Sequence, residues 1–317
     1  MQKVTFHDHR PDNLSFYDAV IEGLSRKPKS IPPKFFYDER GSMLFDRICE
    51  QPEYYPPSVE CRMLSRLAKE IASLTGVGHI LIEPGAGSAT KVRLILDRLR
   101  PSAFVPMDIS FDYLKSVTRE LSQEYPWLPV HAVHVDFTHS LPVPEEVPPG
   151  RRLIFFPGSS LGNFRPHEAR SFLNLIRDTL GDDGMLLIGV DTKKKESLLN
   201  AAYNDAAGVT AKFNLNLLHR MRKELGADLN PDTFDHRAFY NARAGRVEMH
   251  LVSRVEQELR INGYSFHFSE GESLHTENSY KYAPEELMEM ARNSGLTPVR
   301  HWIDKQGLFA IYLLMAR

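Results

Sequence analysis

The sequence has only two cysteines in 317 residues, Cys49 and Cys61, too few for a disulfide framework or a four-cysteine metal centre. No apolar run reaches the roughly 18 residues that a membrane span needs. Neither charge is in excess: 39 Lys and Arg against 41 Asp and Glu leave a net charge of −2. The basic surplus that binding to a phosphate backbone demands is therefore missing. Residues 1–10 carry histidine and aspartate with no apolar stretch behind them, unlike a secretory signal. Low-complexity segments and repeats at solenoid or propeller periods are missing too. What is expected is a cytoplasmic protein with a sizeable core, 42% hydrophobic and 10% aromatic. Neither nucleic acid nor membrane is an expected partner, and at roughly 150 residues per domain there is room for two domains.

What is present is an alternation. Residues 61–74 place Met63, Leu64, Leu67, Ile71 and Leu74 at helical spacing. Residues 79–82 are a short apolar run that breaks at Gly85, as a buried parallel strand does. The same patterns predict helices over 88–99, 111–124 and 166–180, and strands over 104–107, 130–135, 153–156 and 185–190. Strand and helix taking turns in this way imply a parallel sheet with right-handed crossovers. The rhythm then stops. Helices are expected at 196–205 and 215–225, followed by an antiparallel meander over 235–282 with turns at Ala244-Gly245 and Asn262-Gly263, the second a strong hairpin signal. A helix at 284–294 and two strands at 297–303 and 308–315, joined by Asp304-Lys305-Gln306-Gly307, close the chain in a hairpin. The expected fold class is α/β. A Rossmann-like seven-stranded unit spans 60–196 and 285–317, and an inserted α+β unit spans 197–284 and joins 1–59 as a lid. The terminus around His7 and His9 is expected to fray.

Glu83-Pro84-Gly85-Ala86-Gly87 ends the first parallel strand. Glycines there let the backbone turn tightly and approach a ligand in the crevice beyond the strand ends. The third glycine of a dinucleotide fingerprint is missing, because Thr90 holds its place. Asp108 closes the second strand, where a carboxylate can accept from both hydroxyls of a ribose. Asp136 closes the third, beside Phe137, a pair suited to an adenine amino group and ring face. One acid at a strand end is ordinarily a helix cap; three at successive strand ends beside a glycine turn make a cofactor constellation. With seven strands and a terminal hairpin, it resembles the Rossmann-like fold of S-adenosylmethionine-dependent methyltransferases. A nicotinamide cofactor, as in an NAD-dependent oxidoreductase, is the alternative that the missing glycine and the hairpin argue against.

More specific stretches narrow the resemblance. Phe36-Tyr37-Asp38-Glu39-Arg40-Gly41-Ser42 leads to Leu44-Phe45-Asp46 and to Pro52-Glu53-Tyr54-Tyr55-Pro56. Phe156-Pro157-Gly158-Ser159-Ser160-Leu161-Gly162-Asn163-Phe164 follows the fourth strand. Ala202-Tyr203-Asn204-Asp205, Phe213-Asn214-Leu215-Asn216 and Thr276-Glu277-Asn278-Ser279 mark the insertion. Over residues 30–317 this set resembles the L-histidine Nα-methyltransferase family, which opens ergothioneine biosynthesis. The resemblance implies S-adenosyl-L-methionine as methyl donor, S-adenosyl-L-homocysteine as product, and no metal. It implies free L-histidine as substrate, taken through three methylations of its α-amino group to hercynine, by a monomer whose inserted domain binds the substrate. Cofactor contacts are implied at Tyr37, Gly85, Lys91, Asp108, Asp136 and Phe137, with Gly87, Gly158 and Ser159 in the same turns. Substrate contacts are implied at Tyr54, Asn163, Tyr203, Glu277 and Ser279, with Met249 nearby. The family often has an apolar residue where this chain has Asn278.

The chemistry is consistent with these residue types. Methyl transfer from a sulfonium is an in-line displacement, and positioning alone can supply about 7–11 kcal/mol. Glu277 and Ser279, two apart, share one face of a strand, and an imidazole offers one N–H to a carboxylate and one nitrogen to a hydroxyl. Asn163 and Tyr203 are neutral donors for a carboxylate. Tyr37 and Tyr54 are candidates to orient the amine and relay a proton, with Tyr37 the expected catalytic residue and no definite general base assigned. Lys193-Lys194-Lys195 reads as a solvated turn, and His131 and His134, three apart on a strand, point to opposite faces and cannot chelate one metal. Two other readings stay open: a related N-methyltransferase for a tryptophan or tyrosine derivative, and a non-catalytic histidine-binding protein.

Overall fold

The computed structural model describes residues 4–9 and 15–317. The chain divides into two compact units, one made of Met1–Pro11, Pro56–Lys193 and Lys281–Arg317, the other of Asp12–Tyr55 and Lys194–Tyr280.

The first unit is built on an eight-stranded sheet in the order Val4–Asp8, Val130–His134, Ala103–Asp108, Ile80–Pro84, Arg152–Phe156, Met185–Asp191, Phe309–Ala316, Leu296–Ile303. The first six strands run parallel, and the last two form the expected antiparallel hairpin. From Ile80–Pro84 the chain steps outward through 103–108 to 130–134, then returns to the other side of Ile80–Pro84 at 152–156. That reversal is the topological switch point where such sheets bind ligands. Ile80–Pro84 and Met185–Asp191 are buried along their whole length, as central parallel strands are. Helices Phe111–Glu124, Pro166–Leu180 and Pro284–Asn293 pack on the sheet.

Two expectations are corrected here. Residues 4–8 are not frayed and do not belong with the insertion: they add an eighth strand, pairing Val4–Asp8 with Val130–His134. Asp8 meets His134 at 2.8 Å, and the His7 and His131 rings stack at 5.6 Å. An edge strand needs partners on one side only, so it can be this polar. The helix expected from residue 61 runs Tyr55–Thr75. Pro56 and Pro57 lie in its first turn, where their missing N–H groups have no helical acceptor to lose. The earlier start carries Glu60 into the stripe of buried Leu64, Leu67 and Ile71.

The insertion leaves after Lys193 and returns at Lys281. The two crossings are tied within the first unit by a bridge between Thr192 and Tyr282 and a Tyr282 N–H bond to the Asp191 carbonyl (3.1 Å). An ion pair between Lys281 and Asp191 (2.8 Å), both side chains 1% exposed, adds to these.

In the second unit, Phe234–Asn241, Arg246–Ser253 and Ser273–Tyr280 form an antiparallel sheet, extended by a parallel pairing of Ser273–Tyr280 with Lys29–Ser30. The expected meander is interrupted. Gln257–Ile261 and Tyr264–Phe268 form a separate two-stranded ribbon, so Ser273–Tyr280 pairs directly with Arg246–Ser253. Bonds from Ser253 N–H to the Glu272 carbonyl and from Gly271 N–H to the Ser253 carbonyl close the base of this excursion. Its tip is the Asn262-Gly263 turn, both residues at positive φ (+46° and +86°), as a primed hairpin turn requires. Helices Phe16–Ser25, Glu39–Cys49, Glu196–Ala202 and Val209–Leu225 complete the unit. The Asp38–Ser42 motif acts locally. Asp38 caps Glu39–Cys49 through the Gly41 N–H (2.7 Å) and accepts from Asn216 (2.8 Å). A Cβ on Gly41 would fall 1.7 Å from the Phe36 carbonyl oxygen, so only glycine fits there.

Candidate functional site

In the first unit the expected cofactor residues gather at the carboxyl ends of the central strands. Gly85 and Gly87 take left-handed φ values of +70° and +51°. A Cβ on Gly85 would lie 3.1 Å from the Phe137 ring, so that ring packs on bare glycine backbone. Gly87 N–H donates to Asp108 Oδ2 (3.1 Å) and Ser110 N–H to Oδ1 (2.9 Å). These amides orient the Asp108 carboxylate, which has about four acceptor positions. Burial pushes its pKa up, and the amides of Ser110, Gly87 and Ile109 pull it back. Asp136 is buried and accepts the Thr138 N–H and hydroxyl at 3.1 and 2.5 Å, so it also caps its own turn. Phe137 packs against Phe156 and Phe172.

Lys91, in the first turn of Thr90–Leu99, lies 2.7 Å from Glu60 Oε2. Glu60, 1% exposed, also accepts the Gly158 N–H with both oxygens (3.1 and 2.9 Å). Its carboxylate occupies the space over Gly189, where a Cβ would lie 2.0 Å from Oε1. Glu83 is buried and its Oε2 has no hydrogen-bond partner. Burial pushes its pKa well above the ordinary carboxylate range; Lys91 opposes the rise, while Glu60 and Asp108 add to it. Ser159 donates its N–H to the Gly189 carbonyl (3.1 Å) and accepts the Asp191 N–H on Oγ (2.9 Å), so both groups brace the turn. Asn163 ends the short helix Ser160–Asn163 that follows.

The second unit brings together most of the expected substrate residues. Tyr203 donates its hydroxyl to Ser279 Oγ at 2.7 Å. The Tyr54 ring meets Tyr203 edge-on at 5.8 Å, and Phe45 sits between Tyr54 and Tyr37 at 6.4 and 5.7 Å. Glu277 stands opposite Met249 in register, and Ser279 opposite Val247. Asn278, opposite Glu248, turns to the face of the strand opposite Glu277. Burial pushes the Tyr54 phenol well above its ordinary range, with Tyr203, Cys49, Glu277 and Tyr37 adding in that order. Near neutral pH Tyr54 is thus a donor and not a base. Tyr37 belongs to this unit although expected to touch cofactor, and Asn163 to the first although expected to touch substrate.

Sequence reasoning missed the residues that hold these groups. Glu60 was hidden by the proline-rich helix start; a lone acid on an apolar stripe was its signal. Asn214, fully buried, donates to His236 (2.9 Å) and to the His250 carbonyl (3.0 Å), and accepts the Thr276 hydroxyl (2.8 Å). His236 in turn donates Nε2–H to the Tyr203 carbonyl at 2.9 Å. This chain of bonds sets the helix end bearing Tyr203 against the strands bearing Met249 and Glu277. The lysine run lies in a loop with Lys193 and Lys195 exposed, as expected; within it Lys193 pairs with Glu286, and Lys194 donates to the Tyr55 hydroxyl at 2.6 Å.

A family model described as histidine-specific methyltransferase, SAM-dependent, matches residues 16–316. A histidine N-alpha-methyltransferase of Mycolicibacterium smegmatis is 39% identical over 300 residues, 93% of this chain and 92% of that one. Its counterpart from Mycobacterium tuberculosis is 37% identical over 308 residues, 95% of each chain. Ergothioneine biosynthesis protein 1 of Neurospora crassa is 29% identical over 296 residues, 87% of this chain and 32% of the longer fungal one. Among the described residues no helix is long and apolar enough to cross a membrane.

Proposed function

We infer the activity from one premise: this chain belongs to the family of histidine-specific, S-adenosylmethionine-dependent methyltransferases. It is an enzyme that transfers methyl groups from S-adenosylmethionine to the α-amino group of free L-histidine. We carry this to three successive transfers, giving hercynine for ergothioneine synthesis. A nicotinamide cofactor is set aside by the same premise.

The residues of the first unit fit the cofactor. The orphaned, buried Glu83 Oε2 suits a cationic ligand, Asp108 is an oriented carboxylate at the strand end for ribose hydroxyls, and Phe137 over bare Gly85 offers a flat apolar surface for a base. When bound, the cofactor supplies an electrophilic methyl on a sulfonium. In this reading Lys91 faces the cofactor's carboxylate, Asp136 the adenine amino group, and the Gly87 and Gly158 backbone comes close enough for contact.

For the substrate, Glu277 accepts one imidazole N–H and Ser279 serves the other ring nitrogen. Tyr203 works by fixing Ser279, since its hydroxyl is bonded there; this replaces its expected role as a carboxylate donor, which is left to Asn163. Tyr54 donates a hydrogen bond, and Tyr37 keeps the outward proton relay. The amine reaches its neutral, nucleophilic form chiefly by desolvation, which disfavours an ammonium.

One observation carries the substrate assignment: the second unit alone gathers Tyr54, Tyr203, Glu277 and Ser279 into one cluster around the 2.7 Å Tyr203–Ser279 bond. The test is incubation with S-adenosylmethionine and each free amino acid, read by mass spectrometry. Mono-, di- and trimethylated histidine are expected. Methylation of another amino acid with none of histidine would refute the assignment.

A further inference from the structure

On the reverse face of the strands that present Met249, Glu277 and Ser279, we propose a binding site for a zinc-class divalent transition metal, formed by Glu248, His250 and His275. One donor atom from each of the three lies within 4.8 Å of the others. The side chains share a face by register: Glu248 and His250 are two apart on Arg246–Ser253, and His275 stands opposite His250.

His275 is already held as a metal-binding histidine is, with one ring nitrogen engaged behind: its Nε2 meets the Glu277 carbonyl at 3.0 Å. That bond selects the tautomer that offers Nδ1 as a lone-pair donor. His250 Nε2 and Glu248 Oε2 lie 3.0 Å apart, close to the spacing of two ligands on one ion, which would take the place of the proton they share. His250 Nδ1 is buried without a hydrogen-bond partner, and so is Oδ1 of Asn278, which lies opposite Glu248 on the same face. The rings stack at 4.6 Å, 16° from parallel, so one ring turns about its side-chain bonds for both in-plane lone pairs to meet one ion. Arg246 and Asn241 hold Glu248 Oε1, which leaves Oε2 on the histidine side. Two imidazoles and one carboxylate are the donor set that zinc accepts at about 2.0–2.2 Å, ligands then standing roughly 3.3 Å apart. Side-chain rotation of about an ångström closes the cluster to that spacing.

The site is separate from the methyl-transfer residues yet bound to them through the chain, because His275 holds the Glu277 carbonyl. A metal there pins Ser273–Tyr280 to Arg246–Ser253 at the bulge between His275 and Glu277. It needs no catalytic role and makes no claim on the substrate.

The experiment is calorimetric titration of chelator-treated full-length protein with Zn²⁺ in histidine-free buffer, paired with the visible absorption of the Co²⁺ complex. One tight equivalent with the intense bands of a four-coordinate cobalt site is expected. His275→Gln keeps a donor for the Glu277 carbonyl and should lower the affinity at least tenfold, as should Glu248→Gln, while His301→Gln should not. Circular dichroism checks that each variant is folded. Absence of a tight equivalent overturns the proposal, and so does an equivalent whose affinity and cobalt spectrum survive both His275→Gln and Glu248→Gln.

Discussion

Glu60 offers the sharpest test of how the first unit holds its strand ends. Its carboxylate is 1% exposed and serves two partners, Lys91 at 2.7 Å and the Gly158 N–H at 2.9 Å. Removing one member of a buried pair costs about 3–5 kcal/mol. Lys91 is 21% exposed and can gain water, which argues for the lower end, about 3 kcal/mol. At about 2–4 °C per kcal/mol for a unit of this size, Glu60→Ala should lower the melting temperature by about 6–12 °C in differential scanning calorimetry. Glu60→Gln keeps an acceptor for Gly158 and should lose less. Deleting both charges, as Glu60→Ala with Lys91→Met, should recover part of the loss because no buried charge is left behind. Gly189→Ala, which drives a methyl into the Glu60 carboxylate, should resemble Glu60→Ala. An unmoved melting temperature in Glu60→Ala, or a double variant no more stable than the single one, would refute the reasoning.

Other expectations follow from the same geometry. Glu277→Gln removes a charged acceptor worth about 1.5–3 kcal/mol, so kcat/KM for histidine should fall roughly 10–150-fold; unchanged steady-state kinetics would remove Glu277 from the clamp. Tyr203→Phe removes the hydroxyl that donates to Ser279 and should raise KM for histidine severalfold in steady-state kinetics while the melting temperature changes little. Gly85→Ala forces a Cβ onto φ +70° and against Phe137, a backbone cost of about 1–2 kcal/mol. Calorimetry should show S-adenosylhomocysteine binding it more weakly than wild type. His236 is held neutral by burial, its pKa below the ordinary 6.5. The unfolded chain therefore takes up a proton first, and stability present above pH 6.5 is lost as pH falls below it, by at most about 1.4 kcal/mol per pH unit for this one group. Urea unfolding at pH 7.5 and 5.5 should show a smaller difference in His236→Gln than in wild type, and equal differences would clear His236 of this role.

Wherever a decision is local, the amino-acid order alone determined it. The helices 111–124 and 166–180 lie where apolar spacing put them, because periodicity of one face is written in consecutive residues. Asn262-Gly263 adopts its paired positive φ values because few other dipeptides tolerate them. Gly85, Gly87, Asp108 and Phe137 were legible as a group because strand ends in a parallel sheet converge by topology. Glu277 and Ser279 share a face because a strand has a period of two.

Contacts between distant segments were decided only by the tertiary structure. No local pattern marks Val4–Asp8 as a strand; its bonds come from residues 130–134. Glu60 has meaning only beside Lys91, Gly158 and Gly189. Tyr203 meets Ser279 across 76 residues of chain, and Asn214 joins His236, His250 and Thr276 across three elements. Hydrogen bonds and ion pairs of this kind depend on ångström-scale distances between segments far apart in the chain, and spacing along a sequence carries no such distance.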